Sequence, residues 1–375
     1  MSIRRYLFAV LSGCVLVLAA CGDDDAGEGD KASGAAQNGA PQPAETTLLL
    51  SSPEGPAWIG LPTARSEGFL EQEKLEVESQ ATDGSDFVTQ QIIAGNAPYG
   101  MAAATAVMLA HQADPSIRAV FCMTSRNIFG ITASRPSGIT EVAGFAGQEL
   151  GISEVGGGEG PMVESALQDA GLKAGEDVKL LAIGGSGPAA RRAIDTGRVA
   201  GYASAYTDIL GLQASGADLV DITPEKYAAI PGDCLHAKEE TLNDPEQRDI
   251  VIRIARAWSK GNLFATSNPD AALEIGCNQF PEDCTDRDFA KSYMDKRLEL
   301  LTPVGAELGQ TDTPYGEPSV EGWQTAADIL AETKQLKEPL DVNEIIGTQQ
   351  VKDIIAEWSD YDRDEIKQQA EAWSG

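Results

Sequence analysis

Strand and helix patterns alternate along residues 47–222 of this 375-residue chain. Short apolar runs at 47–51, 75–80, 99–103 and 117–123 are typical of strands, and a segment with helical periodicity follows each of the first three. Parallel strands are joined by crossovers of this kind, usually helices. The alternation therefore predicts an α/β fold of parallel-rich sheets flanked by helices.

The alternation falls into two blocks. The first runs from 47 to 134, and the second, with strands at 148–153, 178–183, 199–203 and 219–222, runs from 148 to 222. No element is predicted at 223–244, and from residue 245 onward the patterns are mostly helical. Two such blocks predict two lobes, and ligands of open parallel sheets bind beyond the carboxyl ends of the strands. We therefore expect a ligand cleft between the lobes.

Three loops between a strand and a helix consist mostly of small residues, at 103–106, 153–160 and 184–187. Glycine lets the backbone approach a ligand closely, and the start of a helix offers unpaired N–H donors. The run at 156–160 lacks the Gly-Lys-Ser/Thr ending of a nucleotide loop, and no Gly-x-Ser-x-Gly elbow occurs. Glycine-rich turns are also common in α/β folds without a ligand, so the loops are candidates mainly because they share a strand edge.

Several side chains near these loops are candidates for ligand contact. They are Trp58, Phe129, Tyr206, Glu159, Asn127 and Asp208. An aromatic ring beside a cleft can stack on a planar ligand, although it can equally belong to the core. Glu159, the acid within a glycine loop, suits either a ligand amine or, without any ligand, the dipole of the following helix.

The first 20 residues are typical of a secretory signal. A basic start precedes an apolar run at 6–18 that is too short for a comfortable membrane span. Residues 18–21, Leu-Ala-Ala-Cys, resemble the lipobox of bacterial lipoproteins, which implies cleavage before Cys21 and a membrane-anchoring lipid, such as palmitate, on this cysteine. The alternative is an ordinary secreted protein with a chance cysteine. Residues 21–46 lack an apolar period and predict a disordered tether.

Four further cysteines fit an oxidising compartment. Cys277 and Cys284 enclose a short acidic loop, which favours a disulfide between them and leaves Cys122 to pair with Cys234. A zinc site is the rival interpretation. The chain has 2 histidines and no Cys-x-x-Cys motif, which weighs against zinc.

The formal net charge of −30 bears on the partners of the chain. Such acidity argues against binding nucleic acid and against electrostatic docking on anionic lipid, and it also suits simple solubility. His111 lies in a helical segment and His236 in a stretch interpreted as irregular, and both are expected to pack or face solvent. No catalytic triad or metal cluster emerges, so we expect no cofactor.

Six segments, in order, carry a resemblance to a known family. They are residues 58–69, 95–106, 145–152, 193–202, 268–269 and 322–341. The chain resembles the substrate-binding proteins of bacterial ABC importers, in the branch that includes binders of sulfonates, nitrate and thiamine pyrimidine precursors. The similarity covers about residues 47–355.

The resemblance implies a type II periplasmic-binding-protein fold. Lobe 1 would hold residues 46–132 plus 233–375, and lobe 2 would hold residues 133–232. The lobes would close by hinge bending near residues 129–134 and 222–234. A lipid-anchored extracytoplasmic monomer would capture a small organic molecule without chemistry and deliver it to a membrane permease driven by an ATPase.

The resemblance also implies a set of ligand contacts. They come from Gly55 and Trp58, from Ala104 and Thr105, from Gly157, Gly158 and Glu159, and from the turn at 204–206. The chain differs from the sulfonate and nitrate binders in two ways. It has Glu159 in the glycine loop, and it has no obvious Arg or Lys at the predicted cleft. We therefore expect a planar or amine-bearing ligand such as a thiamine pyrimidine precursor, with a sulfonate or aromatic compound as the alternative.

Two rival functions belong to other classes. One is a ligand-sensing lipoprotein module that hands its ligand to a receptor. The other is an enzyme of related fold that makes the thiamine pyrimidine with histidine and iron. The lipobox, the 2 histidines and the lack of a Cys-rich motif weigh against the enzyme.

Overall fold

The computed structural model describes residues 42–375. The predicted signal peptide at 1–20, the Cys21 lipidation site and the predicted tether up to residue 41 lie outside the described residues. The prediction that the tether extends to residue 46 is wrong, because strand β1 begins at Ala44. Thr46 belongs to this strand, where its hydroxyl hydrogen-bonds the hydroxyl of Tyr99.

Ten strands occur in this part of the chain. They are β1 (Ala44–Leu50), β2 (Leu75–Ala81), β3 (Tyr99–Ala103), β4 (Ile117–Cys122), β5 (Phe129–Ser134), β6 (Glu149–Ile152), β7 (Lys179–Ala182), β8 (Gly201–Ala205), β9 (Leu219–Asp221) and β10 (Asp233–Lys238). The first sheet has the order β2-β1-β3-β10-β4, and the second has the order β7-β6-β8-β5-β9.

Each sheet contains one antiparallel strand. Strand β10 lies antiparallel between β3 and β4, and β5 lies antiparallel between β8 and β9. The remaining pairings are parallel, so the prediction of parallel-rich sheets is confirmed. The chain crosses between the sheets twice, at residues 123–128 and 222–232. Because β5 lies wholly in the second sheet, the segment that joins the two sheets is 123–128, and it precedes residues 129–134, where a hinge was expected.

Strand β10 was not predicted, and the irregular stretch assigned around His236 is wrong. The strand lies inside the first sheet, between β3 and β4, and its Asp233 and His236 are buried. These polar residues interrupt the apolar run that normally marks a central strand. Burial lowers the pKa of His236 to about 4, so the ring is neutral at physiological pH.

Helices flank both sheets. They are α1 (Gly60–Ser66), α2 (Phe69–Gln72), α3 (Ser85–Ile93), α4 (Ala104–Ala113), α5 (Gly160–Asp169), α6 (Pro188–Asp195), α7 (Tyr206–Ala214), α8 (Glu239–Asn243), α9 (Pro245–Ser267), α10 (Pro269–Gln279), α11 (Arg287–Leu301), α12 (Val320–Glu332), α13 (Asn343–Ile346), α14 (Gln349–Ser359) and α15 (Arg363–Glu371). Within residues 42–375, every helix is too short or too polar to span a membrane.

Helix α9 anchors the C-terminal helices on the first sheet. The carboxylate of Asp244 caps its start by accepting two first-turn N–H groups at 3.0 Å, and Pro245 suits the first helical position. Trp258 of α9 packs against Phe121 of β4 with ring centroids 5.7 Å apart. One core therefore lies between the first sheet and the C-terminal helices.

Helix α12 belongs to a second core that includes residues of both sheets. Its fully buried Trp323 shares this cluster with apolar residues of α4 and α5. Beyond the helix, the amide of Gln335 donates to the carbonyl of Pro161 at 2.9 Å. The C-terminal part of the chain therefore contacts elements on both sides of the crossovers.

Residues 42–375 contain two disulfides. Cys122 on β4 and Cys234 on β10 face each other across the strand pair and are linked. Cys277 near the end of α10 is linked to Cys284, before α11. His111 is buried in α4 with Nδ1 3.0 Å from the carbonyl oxygen of Ile117, which is a packing role.

Candidate functional site

A cavity of about 490 Å³ lies between the two sheets, beyond the carboxyl ends of several parallel strands. Residues 51–58 after β1 line it from the first sheet, and residues following β6, β7 and β8 line it from the second. Helices α10 and α11 contribute a further wall. The cavity size suits a small organic molecule.

The loop at 51–58 presents Trp58 and Gly55 to the cavity. Trp58 ends a short 3₁₀ turn, and its indole N–H donates to the carbonyl of Pro53 at 3.2 Å. The ring is 2% exposed and meets Trp258 edge-on at 6.0 Å. Core packing therefore fixes Trp58 on one side while the ring forms part of the cavity wall.

The glycine loop, defined as residues 153–159, enters from the second sheet. Glu159 is buried at its end, and its carboxylate accepts hydrogen bonds from the Ser153 N–H at 3.0 Å and from the Ser153 hydroxyl. Its carboxylate therefore closes its own loop, which is neither of the two roles expected from the sequence. Burial raises the pKa of Glu159 despite these hydrogen bonds.

Gly158 marks a close contact between the two sides of the cavity. A Cβ at this position would lie 2.5 Å from Cζ of Phe129, 2.9 Å from Cβ of Ala103 and 3.1 Å from Oγ of Ser85. Ala103 ends strand β3 and Ser85 begins helix α3, so both lie on the side of the first sheet. Nearby, the Asp86 N–H donates to a carbonyl of the glycine loop at 3.3 Å. Only glycine fits at this position without displacing these neighbours.

Asp208 and Tyr206 complete the wall from the second sheet. The Asp208 carboxylate accepts a hydrogen bond from the Ser204 hydroxyl at 2.8 Å and another from the Ser186 N–H at 3.1 Å. The Tyr206 hydroxyl donates to Asp221 at 3.0 Å. These partners hold both side chains in place at the start of α7.

Four predicted contact residues lie outside the cavity lining. Ala104 and Thr105 are buried at the start of α4, and Gly157 is buried behind the cavity wall. Asn127 is also buried, and its side chain accepts from the Phe129 N–H at 3.0 Å and contacts the sulfur of Met162. The structure thus places Gly55, Trp58, Phe129, Gly158, Glu159, Tyr206 and Asp208 at the cavity and the other four in its support.

Sequence reasoning missed the wall formed by α11 and the start of β10. Tyr293, Met294 and Arg297 of α11 line the cavity, as does Asp233 of β10. The expectation that no Arg or Lys reaches the cleft is wrong, because Arg297 does so and is 3% exposed. A signal was present, since Arg297 falls on the otherwise apolar buried stripe of α11.

The cavity is strongly acidic. Among the described residues, one guanidinium, that of Arg297, lines it. Six carboxyl groups also line it, those of Glu54, Glu154, Glu159, Asp208, Asp233 and Asp283. Burial raises the pKa of Asp208, Asp233 and Asp283. Partial burial and the neighbouring acids raise the pKa of Glu154 to about 7, although its side chain also reaches solvent. This electrostatic environment favours a ligand that carries positive charge.

No group of three or more His, Cys, Asp or Glu side chains within residues 42–375 is placed to hold a metal ion. The carboxyls of the cavity instead bind hydroxyl and backbone N–H groups of the chain, as at Glu159 and Asp208. The arrangement is suited to holding a polar ligand through hydrogen bonds.

The chain is similar to known proteins both in sequence and in structure. The chain matches the family described as NMT1/THI5 like over residues 56–272, more than half its length. No curated protein matches it in sequence. A solved structure of a protein from Bordetella bronchiseptica RB50 is similar with a TM-score of 0.67 and 19% identity, over 84% of this chain and 98% of that one.

Two other solved structures differ in what they do. The alkanesulfonate-binding protein SsuA from Xanthomonas axonopodis pv. citri, bound to MOPS, has a TM-score of 0.58 and 14% identity, over 80% of this chain and 96% of that one. The desulfurization enzyme DSZB has a TM-score of 0.53 and 17% identity, over 83% of this chain and 99% of that one.

These structural likenesses show the fold of periplasmic binding proteins, which the resemblance had implied. The matched segment begins at the end of the first loop and contains both crossovers, the glycine loop and strand β10. The chain belongs to the NMT1/THI5-like family.

Proposed function

We propose that the protein is an extracytoplasmic solute-binding protein, which captures a small organic molecule and delivers it to the permease and ATPase of an ABC importer. The observation that carries this proposal is the cavity of about 490 Å³ whose walls come from both sheets. A ligand held there contacts both halves of the molecule at once, which is how a binding protein couples capture to closure. The lipid on Cys21, predicted from the sequence, would hold the monomer at the outer face of a membrane.

Two lobes would act as the moving parts. We assign the first sheet and most of the C-terminal helices to lobe 1, and residues from β5 to β9 to lobe 2. The segments at 123–128 and 222–232 connect the sheets and are the places where a hinge would bend. The Cys122–Cys234 disulfide holds the lobe 1 ends of both segments together, so bending would occur beyond it.

The acidic lining supports an amine-bearing ligand. Glu154 and Asp208 lie on the lobe 2 side, where a protonated amine would gain charge-assisted hydrogen bonds. Trp58, Phe129 and Tyr206 provide ring surfaces for a planar body. A planar amine such as a thiamine pyrimidine precursor fits these features better than a simple inorganic anion.

Binding without turnover is tested on residues 42–375 with a panel of amines, pyrimidines, sulfonates and aromatic acids. We expect quenching or enhancement of tryptophan fluorescence, since Trp58 lies in the wall, and a rise in melting temperature with a binding compound. Mass spectrometry of the recovered compound should show it unchanged. A panel without any fluorescence or thermal response would contradict capture, and a chemically altered compound would indicate an enzyme.

The acidic cavity also predicts a pH dependence of amine binding. The raised pKa of about 7 means that Glu154, close to Glu159, Asp208 and Asp83, holds a proton below neutrality. A cationic ligand must displace this proton, so affinity for an amine of pKa above about 9 should fall by up to about tenfold per pH unit below pH 7. Calorimetric titration from pH 5.5 to about 8.5 measures this.

Glu154→Gln is the matched variant for the pH experiment. It removes the titrating group and keeps the size of the side chain, so its affinity profile should be flatter below neutrality than that of the wild type. A wild-type affinity that stays constant between about pH 5.5 and 7 would refute the role assigned to Glu154. A variant profile identical to the wild-type profile would refute it as well.

A further inference from the structure

Arg297 is a buried arginine without a partner. Its side chain lines the cavity from α11 and is only 3% exposed. It makes no hydrogen bond and no ion pair with any residue of 42–375. Arg253, a buried arginine of α9, differs, since its Nη1 donates to the carbonyls of Gln42 at 3.0 Å and Glu73 at 3.1 Å. Arg297 therefore lacks the partners that normally accompany a buried arginine.

The two terminal nitrogens of Arg297 are the atoms that a ligand can reach. Its Nε is completely enclosed, so a molecule in the cavity cannot contact it. Nη1 and Nη2 are unpaired as well, but they are not enclosed in this way and keep some accessible surface. Because the side chain lines the cavity, these two nitrogens offer their N–H donors to a molecule bound there.

The protein compensates the charge of this guanidinium only in part. Burial lowers the pKa of Arg297 to about 10, against the opposing effects of Tyr293 and Asp233, so the group is charged at physiological pH. Asp233 acts through space and is not an ion-pair partner, and its Oδ2 accepts a hydrogen bond from the Ser51 hydroxyl at 2.6 Å. A buried charge without a partner destabilises the fold, and an anionic ligand group would remove that penalty.

The lobe 2 side of the cavity has a carboxyl group without a partner. Glu159 accepts hydrogen bonds from Ser153, and Asp208 accepts one from Ser204. The side chain of Glu154 makes no hydrogen bond within the described residues, and it lines the cavity. It can therefore accept a hydrogen bond from a ligand ammonium.

Resting on the solute-binding function proposed above, we propose that the ligand is an amino carboxylate, whose carboxylate binds Nη1 and Nη2 of Arg297 in lobe 1 and whose ammonium binds Glu154 in lobe 2. The guanidinium presents a planar fork of N–H donors that matches a carboxylate. A flat group also suits the small accessible surface that Arg297 retains.

Neither charge alone suits the cavity. Among the described residues, six carboxyl groups line it and one guanidinium does, so a simple carboxylate is repelled unless it brings a positive charge with it. A simple amine is attracted but leaves Arg297 without a partner. A zwitterion satisfies both ends, and because its two ends bind different lobes it favours their closure.

The test uses amino carboxylates of different lengths and residues 42–375 of the protein. The probes are 4-aminobutyrate, 6-aminohexanoate and 4-(aminomethyl)benzoate, and the amide of each probe removes the anion while nearly keeping the shape. Calorimetric titration at about pH 7.5 should show at least one amino carboxylate binding at least about tenfold more tightly than its amide. The proposal is overturned if every amide binds as tightly as its amino carboxylate.

Variants of Arg297 locate the anion site. Arg297→Met removes the charge and keeps the length of the side chain, so the tightest amino carboxylate should bind at least about tenfold more weakly while its amide stays within about twofold. Arg297→Lys keeps the charge without the fork and should recover part of the loss. Arg287→Gln, on the same helix but outside the cavity lining and ion-paired with Glu274, is the matched control and should change neither affinity. Unchanged binding of the amino carboxylate by Arg297→Met would overturn the proposal.

Glu154→Gln tests the other end of the ligand. Because Glu154 also reaches solvent, its loss should weaken binding of the amino carboxylate by about three- to fivefold. An unchanged affinity in this variant would overturn the position assigned to the ammonium.

Thermal unfolding of the ligand-free proteins separates binding from support of the fold. Arg297→Met removes an unpaired buried charge, so it should melt no lower than the wild type. A melting temperature more than about 5 °C below that of the wild type would show a structural role and overturn the proposal. Binding of other compounds without any preference for a carboxylate would refute this inference alone, whereas no binding by any compound of either panel would refute the proposed function as well.

Discussion

Replacing Cys122 and Cys234 together by alanine should lower the free energy of unfolding by about 4–5 kcal/mol. The disulfide closes a loop with a sequence separation of 112 residues, which contains both crossovers and the whole second sheet. Without the link, the unfolded chain gains the conformational entropy of that long loop. Urea denaturation of residues 42–375, followed by circular dichroism, measures the loss.

The second disulfide supplies the matched control. Cys277 and Cys284 are only 7 residues apart, so replacing both by alanine should lower the free energy of unfolding by about 2–2.5 kcal/mol. The difference between the two double variants tests the loop-length argument directly. Equal losses, or a larger loss for the short loop, would contradict it.

Gly158→Val should weaken ligand binding at least about a hundredfold, equivalent to about 2.8 kcal/mol. A Cβ at Gly158 would lie 2.5 Å from Phe129 and 2.9 Å from Ala103, so the two sides of the cavity could not keep their present separation. A ligand held by both sides would lose contacts with one of them. Titration with any compound found in the binding panel measures the loss.

Gly160→Ala is the control for this prediction, because a Cβ at Gly160 would meet nothing within 4 Å. It lies two positions further along, at the start of α5, and should leave the affinity within about twofold. Gly158→Ala, which adds only the Cβ, should fall between the two. Wild-type affinity in Gly158→Val would show that the contact between the two sides is not required for binding.

Local patterns were sufficient for much of the fold. The period of the apolar residues predicted most strands and helices, because parallel strands buried on both faces appear as continuous apolar runs, as at Leu48–Leu50. The crowding of small residues after strands indicated the glycine loop, since backbone contact there requires glycine at Gly158. The cysteine spacing indicated the short disulfide. These features depend on residues close together in the chain.

Each error has its own physical cause. Strand β10 escaped prediction because Asp233 and His236 are buried in it, and the hydrogen bond that holds Asp233 comes from Ser51, which is distant in sequence. The start of β1 was assigned to the tether because its exposed and half-buried positions carry no apolar signal. Arg297 was overlooked because a single charged residue on a helix usually faces solvent.

The sequence alone determined the α/β class, the two blocks and the acidic character of the chain, because periodicity and charge are properties of the chain itself. Tertiary structure decided which residues line the cavity together. Asp233 and Arg297 both line it only because β10 returns from the second sheet to pair between β3 and β4, while α11 packs against α9 and α10. This strand pairing joins residues that are distant in the chain. Burial stabilises it, and a local sequence pattern does not show which residues become buried there.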